Sequence, residues 1–408
     1  VREAKSMTTH SNRRSFIQRS GWLAGASFLS SKWFGIAASS PTYKAAVIGR
    51  TGGGDYGHGL DTIFNGLENV TLAAVADADP VGLEAAARRT GAPRAYLDYH
   101  EMLEKEKPDL VSIASRQPDG HREMALAALE AGAHLYIEKP ITEFPREADE
   151  ILAAAQKHGC KIAVAHTRRF MDPFLLIQQL IQEEYFGPIL EFRFQGKQDA
   201  RVGGEDLIVL GSHDMDIMRF FLHADPLWCF ASVTVDGRDA TPSDVRRGQE
   251  PYTVAGDTVR AEYQFPGNIL YRWSSVKGPA EWNRPFDYKE KRLSKWGFEI
   301  FGTKRILTYQ ESVGAFVLDC PFLTLGDPDM TWRPLESVRK YTKPAVLNHP
   351  IRNLIHAIET GTPPQCSGED ARWAVEMVCA VYHAHKAKAR VPFPLRDREH
   401  PLREWIER

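Results

Sequence analysis

The chain has 408 residues, 43% of them hydrophobic and 25% charged, which excludes wholesale disorder and predicts two or three domains of ordinary size. With 31 Gly and 25 Pro it is not collagen-like or low-complexity. A formal charge of −2 gives no basic field to recommend nucleic acid as a partner.

The charge is uneven. Residues 1–40 carry Arg2, Lys5, Arg13, Arg14, Arg19 and Lys32 against Glu3 alone, so a basic leader precedes a mildly acidic body. Asn12-Arg13-Arg14-Ser15-Phe16-Ile17-Gln18 resembles the twin-arginine export consensus of bacteria. The stretch Gly21 to Ala38 is weakly apolar and interrupted by Lys32, too broken for a membrane span, which needs about 20 mostly apolar residues. Ala37-Ala38-Ser39-Ser40-Pro41 offers small residues for a signal peptidase. The expectation is a signal peptide over 1–40 and a periplasmic protein exported folded; the alternative is a disordered basic tail. Cys160, Cys229, Cys320, Cys366 and Cys379 form no CxxC pair and read as small buried residues.

From Tyr43 the pattern alternates strand and helix. Lys44–Gly49, Val70–Asp77, Leu110–Ser115, His134–Glu138 and Lys161–His166 read as buried strands. Gly57–Leu67, Pro80–Thr90, Arg122–Ala131 and Glu147–His158 read as the helices between and after them. Such alternation implies parallel βαβ units, hence an α/β doubly wound Rossmann sheet over 41–166. Beyond it Pro173–Glu184 reads as a helix. Ile189–Lys197, Trp228–Val235, Val259–Phe265, Ile269–Val276, Phe298–Phe301 and Ile306–Tyr309 read as strands. Phe265-Pro266-Gly267-Asn268 and Gly302-Thr303-Lys304 are local turns, which predicts a large, mainly antiparallel sheet in an α+β domain over 167–408. Asn348–Gly361 and Glu369–Ala389 read as closing helices; Trp273, Trp282 and Trp296 read mostly as core and sheet residues.

Gly52-Gly53-Gly54-Asp55-Tyr56-Gly57 matches GxGxxG after the first strand, and Asp77 stands twenty residues beyond its last glycine. Glycines let the backbone approach a pyrophosphate, and an acid at the end of the second strand accepts hydrogen bonds from a ribose diol. Gly49 is where the first fingerprint glycine usually falls, so the loop is longer than the norm. Ligands of open α/β sheets gather outside the carboxyl ends of the strands. Gly49, Gly52, Gly54, Gly57, Asp77, Ser115, Glu138 and Lys139 are therefore the candidate cofactor residues. Asp77 would repel a 2′-phosphate, which favours NAD over NADP.

The sequence as a whole resembles the Gfo/Idh/MocA family, the glucose-fructose oxidoreductase and inositol dehydrogenase group. The likeness spans Tyr43 to about Leu402. It rests on the glycine turn, His121 with Ala125–Gly132, Glu138-Lys139-Pro140, Gly203-Gly204 through His213 to Asp216, Gly368–Arg372 and Pro392–Leu395. The resemblance implies a nicotinamide-dependent oxidoreductase acting on a sugar, polyol or glycoside hydroxyl, assembled as a dimer or tetramer. It places Lys139 beside the nicotinamide and the reacting hydroxyl, where a cation stabilises alkoxide character.

His213 matches the family histidine, but Val209 stands where the family often has an aspartate four residues earlier. Valine neither takes a proton nor orients an imidazole. If the segment is helical, Asp206 shares a face with His213 two turns away, so Lys139, His213 and Asp206 are the candidate catalytic residues. Asp214 and Asp216 read as caps. His166 and Arg168-Arg169 face the crevice, where an arginine either binds substrate hydroxyls or pairs with a surface acid, the second being the favoured reading. His349, His356, His383 and His385 give no convincing metal geometry. Export predicts a tightly held NAD, carried out already bound and reset within one active site. Two other readings stand beside this one: an NAD-using glycosidase or lyase with no net redox change, and a binding protein that has lost turnover.

Overall fold

A computed structural model describes residues 41–248, 252–278, 296–311, 313–319, 331–335 and 343–407. The leader with its arginine pair, Trp282 and Cys320 lie outside the described residues.

Strands β1 (Tyr43–Ile48), β2 (Val70–Ala76), β3 (Arg94–Tyr96), β4 (Leu110–Ile113), β5 (His134–Ile137) and β6 (Ile162–Val164) form a parallel sheet in the order β3-β2-β1-β4-β5-β6. The order reverses between β1 and β4, which opens the crevice where α/β sheets take ligands. Alternate residues feed two cores: Ala46, Ile48, Val111 and Ile113 on one face, Ala45, Val47 and Leu110 on the other. That two-sided burial is why these strands read as continuous apolar runs. Helices α1 (Pro80–Thr90), α2 (Tyr99–Glu106), α3 (His121–Glu130) and α4 (Pro145–His158) connect or follow the strands. Asp79 caps α1 by accepting from the Gly82 N–H, with Pro80 in its first turn. The sequence pattern misses β3 and α2, because β3 is three residues long and mostly exposed.

One predicted helix is absent. Residues 57–67 form a chain of tight turns, with Gly57 N–H to Gly54 O, Thr62 N–H to Gly59 O and Asn65 N–H to Thr62 O. Gly57, Gly59 and Gly66 adopt φ of +57°, +88° and +77°, which no right-handed helix accommodates. The turns still bury Leu60, Ile63 and Phe64 against the sheet, so the apolar period suggested a helix that the glycines forbid.

The second half holds α5 (Asp172–Gln182), β7 (Ile189–Gln195), a helical turn α6 (Gly204–Asp206), a π-helical segment (Leu207–Gly211) and α7 (Ser212–Leu222). Strands β8 (Trp228–Val235), β9 (Arg238–Asp239), β10 (Arg246–Arg247), β11 (Thr253–Val254), β12 (Thr258–Phe265) and β13 (Ile269–Ser275) follow. After them come β14 (Gly297–Gly302), β15 (Arg305–Gln310), β16 (Gly314–Asp319), β17 (Trp332–Pro334) and, near the end, β18 (Val391–Pro392). The large sheet runs β17-β16-β15-β14-β7-β13-β12-β8-β18, with β9 on β8. Only the β7–β13 pair in it is parallel. Both predicted hairpin turns join antiparallel partners, with Gly267 at φ +76° in the first.

Helices α8 (Lys343–Thr360), α9 (Gly368–Ala387) and α10 (Arg403–Ile406) close the chain. α8 sends Ile351, Leu354 and Ile355 into the core on the outer face of the first sheet, beside Leu60 and Phe64. α9 lies against β8, α4 and α7, so it locks the second half to the first. Residues 41–408 thus form one compact unit. No helix among the described residues is long and apolar enough to cross a membrane.

Candidate active site

At the carboxyl end of β1 and β2, a cavity of about 300 Å³ is lined by Gly49, Arg50, Asp77, Leu97, Asp98 and Tyr99, among others. Asp77 is buried and already engaged. Its Oδ2 accepts from the Thr51 hydroxyl at 2.7 Å and the Thr51 amide at 3.0 Å, and its Oδ1 accepts from the Asp79 amide at 3.0 Å. Gly49 lies against the Tyr56 ring, which belongs to the core beneath the loop, and Gly52 sits at the exposed loop tip. A Cβ at Gly54 would come within 2.7 Å of the Arg116 and Gln117 amides; one at Gly57 would meet Glu138 Oε2 at 2.5 Å and Ala114 O at 2.6 Å. Gly57 thus performs the close packing on a neighbouring strand that the third fingerprint glycine requires. Ser115 Oγ lies 3.0 Å from Gly53 O and 2.9 Å from Gln117 O, tying the loop to the end of β4. His121 holds the same edge, with Nε2 2.7 Å from Ser115 O and Nδ1 3.1 Å from Ile141 O.

Beyond β5 the chain turns through Glu138, Lys139 and a cis Lys139–Pro140 peptide. Glu138 is buried and contacts His58, with Oε1 3.0 Å from the His58 Nδ1 and Oε2 accepting from its amide at 3.3 Å. Burial works to raise the Glu138 carboxyl, but the His58 hydrogen bonds and the charge of Lys139 outweigh it and hold the group below its ordinary range. The Lys139 Nζ donates to Val209 O at 3.0 Å. Lys139 and His213 line one cavity of about 290 Å³, between the first sheet and the second half of the chain.

The His213 ring meets that of His166 edge-on, with centroids 5.4 Å apart. The Nδ1 atoms of both are buried and have no hydrogen-bond partner among the described residues. Burial, then the charges of Lys139 and Arg168, push the His213 imidazole well below its usual range, so it is neutral at neutral pH.

Asp206 does not join this group. A π-helical segment bonds i to i+5 and therefore slips the helix face by about one residue per turn. Leu207–Gly211 is such a segment, and it breaks the seven-residue alignment expected of Asp206 and His213. Asp206 is buried elsewhere, with Oδ2 accepting from the Gln198 amide at 3.1 Å and from Ser275 Oγ at 2.8 Å. Burial pushes its carboxyl up to about 6.

Arg168, Arg169, Asp214 and Asp216 also depart from expectation: the acids are buried partners of the arginines, not caps, and not surface groups. Asp214 accepts from Arg168 Nη1 and from the indoles of Trp273 and Trp296, at 2.9 to 3.0 Å. Asp216 takes a two-pronged pair from Arg169, at 2.7 and 2.9 Å. Trp273 and Trp296 are core residues as expected, and so are Cys229, Cys366 and Cys379; Cys160 is half-buried.

Residues 43–166 match the family model described as the oxidoreductase family with NAD-binding Rossmann fold, GFO_IDH_MocA. The match to that family covers the first sheet and its helices. The chain is 23% identical to myo-inositol 2-dehydrogenase of Thermotoga maritima over 319 residues, covering 76% of this chain and 87% of that protein. It is 25% identical to D-xylose 1-dehydrogenase (NADP(+)) 2 of Haloferax volcanii over 333 residues, 78% and 91% of the two chains. Levoglucosan dehydrogenase in complex with NADH has the same fold, with a TM-score of 0.68 at 19% identity, covering 87% of this chain and all of that one. The matched residues form the NAD-binding Rossmann part of the molecule. Its own residues fit that cofactor, with a cavity carrying Asp77 beyond the glycine turn and Lys139 at the far side of the switch point.

Several residues of the Lys139 cavity were not singled out from the sequence. His58, Arg116, Lys197, Arg201 and Tyr252 all line the cavity of Lys139 and His213. Tyr252, beside β11, reaches across to donate to Arg116 O, just after β4, at 3.2 Å. For Lys197 and Arg201 a signal existed: a polar run after β7, directly before the glycine pair Gly203-Gly204. For Tyr252 none did, because its place depends on a fold-back from the second half.

Proposed function

We propose that this protein is an NAD-dependent oxidoreductase that oxidises a hydroxyl of a sugar, polyol or glycoside. The observation that carries the reading is the shared cavity of Lys139 and His213 at the carboxyl edge of the Gfo/Idh/MocA sheet. NAD, when bound there, supplies the hydride acceptor. Lys139, held by Val209 O, presents its ammonium to the carbinol oxygen and stabilises negative charge on it. His213, kept neutral, takes the hydroxyl proton. Its Nδ1 has no hydrogen-bond partner among the described residues. The ring is held by burial and by the edge of His166 instead. NAD rather than NADP is supported by Asp77 and Asp98, two carboxylates on the cavity beyond β2.

The reading extends to the leader, whose arginine pair supports export of the folded protein with NAD already in place. Protein purified from the envelope fraction and denatured should then release one nucleotide per chain by mass spectrometry; an empty supernatant overturns the tight-binding part. The substitution Lys139→Ala should lower kcat by about 100- to 1,000-fold with NAD binding retained, the loss typical of one electrostatic donor. Unchanged turnover would remove Lys139 from the mechanism.

A further inference from the structure

The cavity that holds Lys139 and His213 has an unusual charge. Arg116, Lys139, Arg168, Lys197 and Arg201 all line it, and none of the residues found on its wall is a carboxylate. Arg168 is paired with Asp214 at 2.9 Å and Arg201 with Asp199 at 2.7 Å, and neither acid is among the residues found on the wall. Glu138 lies beneath His58 rather than on the wall.

These cations come from two sides. Arg116 follows β4, on the glycine-turn side where a dinucleotide pyrophosphate belongs. Arg168 follows β6, and Lys197 and Arg201 follow β7 in the second half, across the cavity from that turn. Burial, then the like charges of Arg201 and Arg168, hold the Lys197 ammonium below its ordinary range. Asp199 and Glu311 oppose that effect without cancelling it. Arg168, Lys197 and Arg201 line one space, and with Asp214 and Asp199 paired to two of them an entering anion meets a wall on which no carboxylate is found.

Resting on the oxidoreductase reading, we propose that the substrate is itself an anion: a monosaccharide or polyol bearing a carboxylate or sulfate group received by Lys197, Arg201 and Arg168. Its hydroxyl then lies toward Lys139 and His213. Charge thus selects the substrate, while Lys139 and His213 act on any hydroxyl so placed.

The test uses the full chain loaded with NAD and matched panels in the gluco and galacto series: the neutral hexose, its uronate and its 6-sulfate. NAD reduction gives kcat/KM, and calorimetry gives binding independently of turnover. The charged members should be preferred at least tenfold, with the uronate and sulfate arms separating the two anion sources. Lys197→Gln should erase most of that preference through KM, and Arg201→Gln repeats the test should the first variant fail to fold. Turnover that favours the neutral hexose overturns the anion proposal and leaves the oxidoreductase reading intact. Binding of the acids without NAD reduction supports the anion site and overturns the oxidoreductase reading. Failure of every acid to bind overturns the proposal.

Discussion

Two cavities of nearly equal size, about 300 and 290 Å³, open at the carboxyl edge of the first sheet, and they are built in opposite ways. The one at Asp77 is lined by residues from short segments of the first domain, none further along the chain than Met124. Its acid is satisfied by the loop next to it. The one at Lys139 draws on residues from His58 to Tyr252, and its cations lie together only because the second half folds over the first. The first cavity therefore rests on local design and the second on long-range assembly. Substitutions should affect the two separately.

The largest separation is expected at His213. His213→Asn should cost about 100- to 10,000-fold in kcat, the range for a lost general base, and leave NAD affinity within a fewfold of the parent. A pH–rate profile makes the assignment specific. The neutral imidazole is the active form, and burial with Lys139 and Arg168 lowers its pKa, so the parent's acidic limb should fall below pH 6.5. The variant should lose that limb. A parent limb at or above pH 6.5 would show that the imidazole does not feel those charges in the working enzyme.

Next comes Asp206, which lies outside the cavity despite its proximity in sequence. Its carboxyl is pushed up to about 6 from an ordinary 3.8, so the folded state holds its proton more tightly than the unfolded chain does. That contribution is fully present below about pH 4 and is lost as pH rises through about 6, a change of about 3 kcal/mol at 1.36 kcal/mol per unit. Both donors to Asp206 reach one oxygen, which an asparagine carbonyl reproduces. Asp206→Asn should flatten the stability–pH curve between 4 and 7 and keep turnover within a factor of about three. A 100-fold loss of kcat with an unchanged melting curve would return Asp206 to the catalytic group.

The same contrast explains what the sequence disclosed. The strands β1, β2, β4, β5 and β6 were visible because burial on both faces demands unbroken apolar runs. Lys139 was visible because a short motif ends one of those strands. The turns at 57–67 were misread because Leu60, Ile63 and Phe64 keep helical spacing while the glycines between them bend the chain. Asp206 was misplaced because a π segment leaves no mark in residue spacing. Tyr252 was hidden for a third reason: its meaning lies in which residues face it, and that is fixed only in three dimensions.

The smallest effect tests the Asp77 side. The Thr51 hydroxyl takes a lone pair of Oδ2 at 2.7 Å, and the Thr51 amide contacts both oxygens. With Asp79 also bonded, the carboxylate has little acceptor capacity left for a ribose diol. Thr51→Val keeps the shape and the amide but removes the hydroxyl. The protein without nucleotide should lose about 1.5 to 3 kcal/mol, the worth of a hydrogen bond to a charged group. The NAD-bound protein should lose less, because a ribose hydroxyl takes over the vacated lone pair. By linkage the variant should bind NAD several-fold more tightly and show a larger rise in Tm on adding it. Weaker binding in Thr51→Val would mean instead that the threonine holds Asp77 in the orientation the ribose needs. The hydroxyl would then be part of the cofactor site rather than a stand-in for its ligand.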